Sequence, residues 1–194
     1  IDTVAGFRFY AQNGGLAKLA SLNDPAKVVV HHKTGEVFFA DVQHRMVRKI
    51  NVTSGVITTV AGTGSGGYSG DGGLAIHAQL NLEGIAVSDD GEVYIADRFN
   101  YRIRRVDLNG IITTVAGTGT QGFNGEDGLA TSIRLNNPNN VAVMDNGAAL
   151  LIADSDNHIV RRVNLTTGIV STFAGRPGDW QYNGDDIPAK NATI

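Results

Sequence analysis

Two glycine-rich runs, Gly62-Thr63-Gly64-Ser65-Gly66-Gly67 and Gly117-Thr118-Gly119-Thr120-Gln121-Gly122, have the GxGxxG spacing with which backbone amides cradle a phosphate. That chemistry also requires a parallel βαβ unit and a helix N-terminus aimed at the pyrophosphate. The surrounding pattern offers neither, so no nucleotide is expected. Acidic residues recur in glycine-rich stretches, at Asp71, at Glu126 with Asp127, and at Asp185 with Asp186. Calcium takes about six to eight oxygen ligands at ordered spacing. One or two carboxylates beside glycines suit a side chain that bonds its own backbone turn. His31 and His32 are neighbours that point to opposite faces of a strand, while His44, His77 and His158 fall in different parts of the pattern. No HExxH or comparable ligand spacing occurs. The chain reads as non-catalytic, with no cofactor and no metal.

Other polar residues recur instead of clustering. Ala-Asp appears at Asp41, Asp97 and Asp154, and basic residues follow each: Arg45 and Arg48-Lys49, Arg102 and Arg104-Arg105, Arg161-Arg162. A catalytic group is needed once, whereas a turn brace or an ion pair between repeats is needed in every repeat. Asp41, Asp97, Asp154, Arg105 and Arg162 are therefore assigned structural repeat positions. Asn51, Asn164 and Asn191 each head an Asn-x-Thr acceptor for N-linked glycans, and Asn51 and Asn164 share one position in two repeats.

Composition narrows the classes. The 194 residues are 42% hydrophobic and 18% charged, with a net charge of -3 and no cysteine. Disulfides and thiolate metal sites are excluded, and no basic footprint for nucleic acid is present. No run approaches the roughly 18 apolar residues of a membrane helix, so no membrane span is expected. Ile1, without a signal peptide or initiator Met, reads as a cut or processed end.

The elements that position these residues are legible in a repeat. Val-Ala-Gly begins at Val4, Val60 and Val115, with Phe173-Ala174-Gly175 as a fourth copy, a period of about 56 residues. Within the second copy, residues 84–87 meet the turn Asp89-Asp90-Gly91, then residues 92–97 follow as the returning strand. Residues 101–108 reach Asn109-Gly110, and 111–117 complete a four-stranded meander. In Arg102-Ile103-Arg104-Arg105-Val106 the two apolar residues fall on opposite faces, so both faces of the sheet must be covered. Sheets stacked on copies of themselves by radial repetition are β-propeller blades. The only helical candidates are short, at 74–80 and 129–135. The exposed aromatics of the connections, Tyr68, Phe123, Trp180 and Tyr182, are the candidate contact positions.

These residues resemble the NHL family of propeller repeats. The third copy carries Asn157-His158-Ile159 inside Ala-Asp-Ser-Asp-Asn-His-Ile-Val-Arg-Arg-Val, and the second reads Ala-Asp-Arg-Phe-Asn-Tyr-Arg-Ile-Arg-Arg-Val. The long connection from Ala61 to Ala75 resembles a longer variant found in bacterial, protist and teneurin-like extracellular proteins. Lys27 and Asn140 stand where the family pattern has glycine, which predicts a different turn into the first blade. The fold expected is all-β, a single propeller segment over 1–194. It comprises an outer strand at 1–6, blades at 27–62, 84–117 and 140–175, and an inter-blade connection at 176–194 leading to a further blade. Three blades cannot close a ring, since six of this length need roughly 330 residues. The segment is then either part of a larger propeller or a unit that assembles head to tail into a ring or filament. The resemblance implies an extracellular or cell-surface scaffold whose partner is a protein, itself or another. The alternatives are a fragment of a six-bladed, metal-dependent lyase-like enzyme, or an intracellular NHL scaffold of a ubiquitin ligase.

Overall fold

A computed structural model describes residues 13–144 and 147–194. The expected outer strand at 1–6 lies outside the described residues. Three antiparallel sheets follow one another along the chain. The first contains β1 (Pro25–Val30), β2 (Val37–Asp41), β3 (Met46–Asn51) and β4 (Val56–Ala61), in that spatial order. The second contains β5 (Ile85–Val87), β6 (Val93–Asp97), β7 (Arg102–Val106) and β8 (Ile112–Ala116). In the third, β10 (Pro138–Met144), β11 (Ala149–Asp154), β12 (Ile159–Asn164) and β13 (Ile169–Gly175) form the meander. A two-residue strand, β9 (Gly128–Leu129), from the preceding connection pairs with the outer edge of β13. The arc is an open segment of an all-β propeller. Its connections carry single 3-10 turns, Ala75–His77 and Ala130–Ser132, which are shorter than the helical stretches expected there.

Hydrophobic patterning explains the stacking. Val106 belongs to a core with Phe38, Ala40 and Val47 of the first blade, whereas Ile103 belongs to a second core with Leu150, Ile152 and Val163 of the third. The middle blade is covered on both faces, as residues on opposite sides of one strand require. The connections fill the wedges between blades: Ala75, Ala78, Leu80 and Leu82 enter the first core, and Ala130, Ile133 and Leu135 the second.

The repeated Val-Ala-Gly phrase has a mechanical basis. Pairing of the third and fourth strands skips a residue between Val47 and Arg48, between Ile103 and Arg104, and between Val160 and Arg161. The extra residue opposite is Val60, Val115 or Phe173, so the first letter of the phrase is a β-bulge that re-aims the neighbouring arginine. The glycine answers another demand. A Cβ on Gly62, Gly117 or Gly175 would run into the carbonyl oxygen of Arg45, Tyr101 or His158, and all three glycines have positive φ. Lys27 takes a left-handed φ of 34° at a bulge in β1, where its equivalents Gly84 and Asn140 do not, so the turn into the first blade does differ.

Candidate functional site

Each blade holds the same buried polar brace. Asp41, Asp97 and Asp154 end their strands fully buried, and the first carboxylate oxygen of each accepts a backbone N–H across the sheet end. The donors are Asn23 (2.8 Å), Asn81 (2.7 Å) and Asn136 (2.7 Å). Asn100 and Asn157 donate their side-chain amides to the same carboxylates at 2.7 and 2.8 Å, and His44 takes this place in the first blade at 2.9 Å. Asn100 and Asn157 also donate to the carbonyls of Gly67 and Gly122 in the preceding connection.

The arginine of the brace differs from the expectation. Arg105 and Arg162 do not occupy it: Arg105 is half-exposed and lies 3.7 Å from Glu92, and Arg162 is half-buried. The neighbouring Arg48, Arg104 and Arg161 are the fully buried ones. Arg104 Nη1 lies 3.2 Å from Asp97, and Arg161 Nε donates to Asp154 at 2.8 Å. Adjacent strand residues face opposite ways, so a one-residue error in the assignment exchanges a buried for an exposed side chain. A usable signal was present. Arginine stands seven residues after the Ala-Asp aspartate in all three copies, whereas the eighth position is Lys49 in the first.

The glycine-rich connection closes over this brace. Asp71 accepts from Arg104 Nη2 (2.6 Å) and Nε (2.9 Å), from Thr114 (2.6 Å) and from the Tyr68 hydroxyl (2.8 Å). The Tyr68 ring lies under the guanidinium groups of Arg102 at 3.8 Å and Arg104 at 4.7 Å. Burial raises the Asp71 carboxyl pKa, but bonds from Thr114 and Tyr68 and the Arg104 charge outweigh it, leaving Asp71 below its ordinary value. Asp97 and Asp154 go the other way. Burial pushes them above the ordinary carboxylate range despite the donors around them. In the third blade Phe123 sits over Arg161 at 5.1 Å, and Arg161 Nη1 donates to the Gly125 and Glu126 carbonyls.

Tyr68 and Phe123 thus serve as cover for the braces, while Trp180 and Tyr182 stand out from the third connection, 68% and 73% exposed. Asn51 and Asn164 occupy matching turns: each side-chain oxygen accepts two backbone N–H groups, from Thr53 and Ser54 and from Thr166 and Thr167. Asn191 lies on a 3-10 turn, and the hydroxyl of its sequon partner Thr193 is buried against the Gln181 carbonyl. His31 bonds Thr34 and the Asp89 carbonyl, and His32 lies 3.1 Å from Asp89, so the histidine pair links two blades. Among the described residues, no group of three His, Asp or Glu is placed to hold a metal. No helix there is long and apolar enough to cross a membrane.

Stacked four-stranded meanders, each with a buried aspartate at its Ala-Asp strand end and a buried arginine seven residues on, the carboxylate held by Asn100 and Asn157 in the second and third and by His44 in the first, define this chain as an NHL-repeat β-propeller protein. Residues 63–123 match the Teneurin NHL domain family. Teneurin-1 from Mus musculus is 39% identical over 141 residues, which cover 66% of this chain and 5% of that protein. NHL repeat-containing protein 2 from Bos taurus is 30% identical over 146 residues, covering 71% of this chain and 20% of that protein. The chain therefore spans a small part of these relatives. An auxiliary nutrient binding protein from Bacteroides ovatus shares the fold with a TM-score of 0.62 at 22% identity, over 84% of this chain and 40% of that one.

Proposed function

We propose that the chain is a non-catalytic protein-interaction scaffold of an extracellular or cell-surface protein. The observation that carries this reading is Trp180. It is 68% exposed and stands two residues before Tyr182, where the other two connections have Gly66 and Gln121 two residues before Tyr68 and Phe123. A large aromatic held out on a braced framework is the kind of residue that anchors protein contacts. The carboxylates that could do acid–base or metal chemistry are instead engaged by neighbouring backbone and side chains in each blade. Similarity to teneurins, which are extracellular, supports the compartment. The turns at Asn51 and Asn164 support glycan attachment there, because the acceptor nitrogen of each amide has no partner among the described residues.

The test compares parent and Trp180→Ala for saturable binding to intact cells by flow cytometry, with elemental analysis of the purified protein. Trp180→Ala is expected to abolish binding while shifting stability by less than about 0.5 kcal/mol, as an exposed substitution should. Binding indifferent to Trp180, or a stoichiometric divalent metal accompanied by turnover, would sink this reading.

A further inference from the structure

The second and third blades carry the same arginine–threonine pair and serve it differently. Arg104 stands opposite Thr114 across β7 and β8, and Arg161 opposite Thr172 across β12 and β13. In the second blade one carboxylate joins the two side chains: Asp71 accepts from Arg104 Nε and Nη2 and from the Thr114 hydroxyl. In the third, Arg161 Nε is committed to Asp154 and Nη1 to the carbonyls of Gly125 and Glu126. Arg161 Nη2 and the Thr172 hydroxyl are buried without a hydrogen-bond partner among the described residues, in side chains of residues only 0% and 5% exposed. A cationic donor left unserved in the interior is strongly unfavourable, so the two groups call for an acceptor.

The nearby connection does not supply one. Glu126 stands where the second connection has Asp71, but it is exposed and reaches Arg161 only through its carbonyl. Phe123 stands where Tyr68 sets its hydroxyl on Asp71, and its ring lies over Arg161 at 5.1 Å with no hydroxyl to offer. The third-blade connection is also packed less closely at this point. A Cβ on Gly70 would come within 2.9 Å of Ala78, whereas one on its counterpart Gly125 would meet nothing within 4 Å. Gly125 carries one of the carbonyls that Arg161 bonds, so the slack borders the unserved donors.

We propose that Arg161 Nη2 and Thr172 Oγ1 form a binding site for a small monovalent anion of the chloride type, taken up from solvent. The second blade shows that a full negative charge belongs between these two positions. A single-atom ion suits the third blade better than a free carboxylate. The Nε and Nη2 groups that together hold Asp71 are divided there, Nε being given to Asp154, and no tyrosine hydroxyl awaits a second oxygen. Bound there, the ion ties residues 123–126 to β12 and β13 as Asp71 ties its own connection to β7 and β8. One connection is then fastened by a side chain and the next by a solute.

The test follows urea unfolding of the intact chain at constant ionic strength while chloride or formate replaces gluconate, an anion too large for the site, with the chloride NMR line width as a direct report of binding. A ligand of the folded state raises the folded-to-unfolded ratio in proportion to its concentration once that exceeds the dissociation constant. A tenfold rise in chloride should therefore raise the ratio by up to about tenfold. Phe123→Tyr with Glu126→Asp supplies a carboxylate in place of the ion. That variant should be at least as stable as the parent in gluconate and should lose both the chloride dependence and the line broadening. Thr172→Val keeps the side-chain shape without the hydroxyl and should move half-saturation to about tenfold higher chloride. Chloride dependence that persists unchanged in the double variant puts the ion elsewhere and overturns the proposal. A parent indifferent to chloride assigns the acceptor to water and overturns it as well, as does a response to formate with none to chloride.

Discussion

Arg104 and Arg161 occupy the same position with unequal partners, and the difference is measurable. Arg104 is served by Asp71, which also takes the Thr114 hydroxyl, whereas Arg161 Nη2 and the Thr172 hydroxyl are buried without a partner among the described residues. The sequence reason is two substitutions in the connection: Phe123 for Tyr68 and Glu126 for Asp71. Glu126 is exposed and contributes its carbonyl to Arg161. The double variant Phe123→Tyr with Glu126→Asp is expected to rebuild the second-blade arrangement. It should raise unfolding stability by about 1 kcal/mol, the usual net return for satisfying a buried donor, as read by urea denaturation. Charge at these sites also has a pH signature. Asp71 has a depressed pKa, so its contribution is present above the ordinary carboxylate value and is lost as pH falls through its folded value. Asp97 and Asp154 have raised values, so theirs is fully present below about pH 4 and is lost as pH rises through their folded values. Asp71→Asn should therefore destabilise at neutral pH, with the gap to the parent closing on acidification. A gap in melting temperature that stays constant from neutral to acid pH would remove Asp71 from this role.

Among the elements, the strands and hairpins were legible because their periodicity and turn residues are local signals. The Asn109-Gly110 turn and the short, continuous apolar run Val93-Tyr94-Ile95-Ala96 bounded by turn residues state their conformation without reference to the rest of the chain. The braces were less legible, since nothing local in Arg104-Arg105 says which guanidinium is buried. That choice is made by the bulge at Val115 and by a connection more than 30 residues upstream, which the bonds from Arg104 to Ser69 and Asp71 record. The roles of Tyr68 and Phe123 were obscured for the same reason: an aromatic beside glycines reads as a contact residue until an arginine from another blade is placed on it. The glycines allow a comparison of element-level demands. Gly72 and Gly117 have similar positive φ, 82° and 89°, but a Cβ at Gly72 meets nothing within 4 Å while one at Gly117 meets the Tyr101 backbone. Gly72→Ala is expected to cost about 1 kcal/mol from backbone strain alone. Gly117→Ala adds displacement of the β7–β8 pairing and should cost clearly more in the same denaturation assay. Equal costs would show that backbone conformation, not close approach, requires glycine in the Val-Ala-Gly phrase.

For the whole molecule, stacking makes stability depend on how many faces a blade has covered. In a linear array each repeat contributes its own stability plus one term per interface, so a blade covered on both faces should outlast its neighbours. The middle blade here holds two complete cores, one through Ile95, Val106 and Ile112 and one through Tyr94, Ala96 and Ile103. The third blade has a complete core on one face, through Leu150, Ile152 and Val163, and a half-buried set on the other. Equivalent truncations should then have unequal effects. Ile103→Ala removes a fully buried side chain from between two sheets and should cost about 2–5 kcal/mol, because the cavity cannot collapse against rigid strands on both sides. Val160→Ala, at the same strand position one blade later, opens onto a half-buried surface and should cost no more than about 1 kcal/mol. Native-state hydrogen exchange provides the complementary reading: amides of β6 and β7 should open only with global unfolding, and those of β10 and β13 at lower free energy. If Val160→Ala proves as costly as Ile103→Ala, the third blade is already covered in solution.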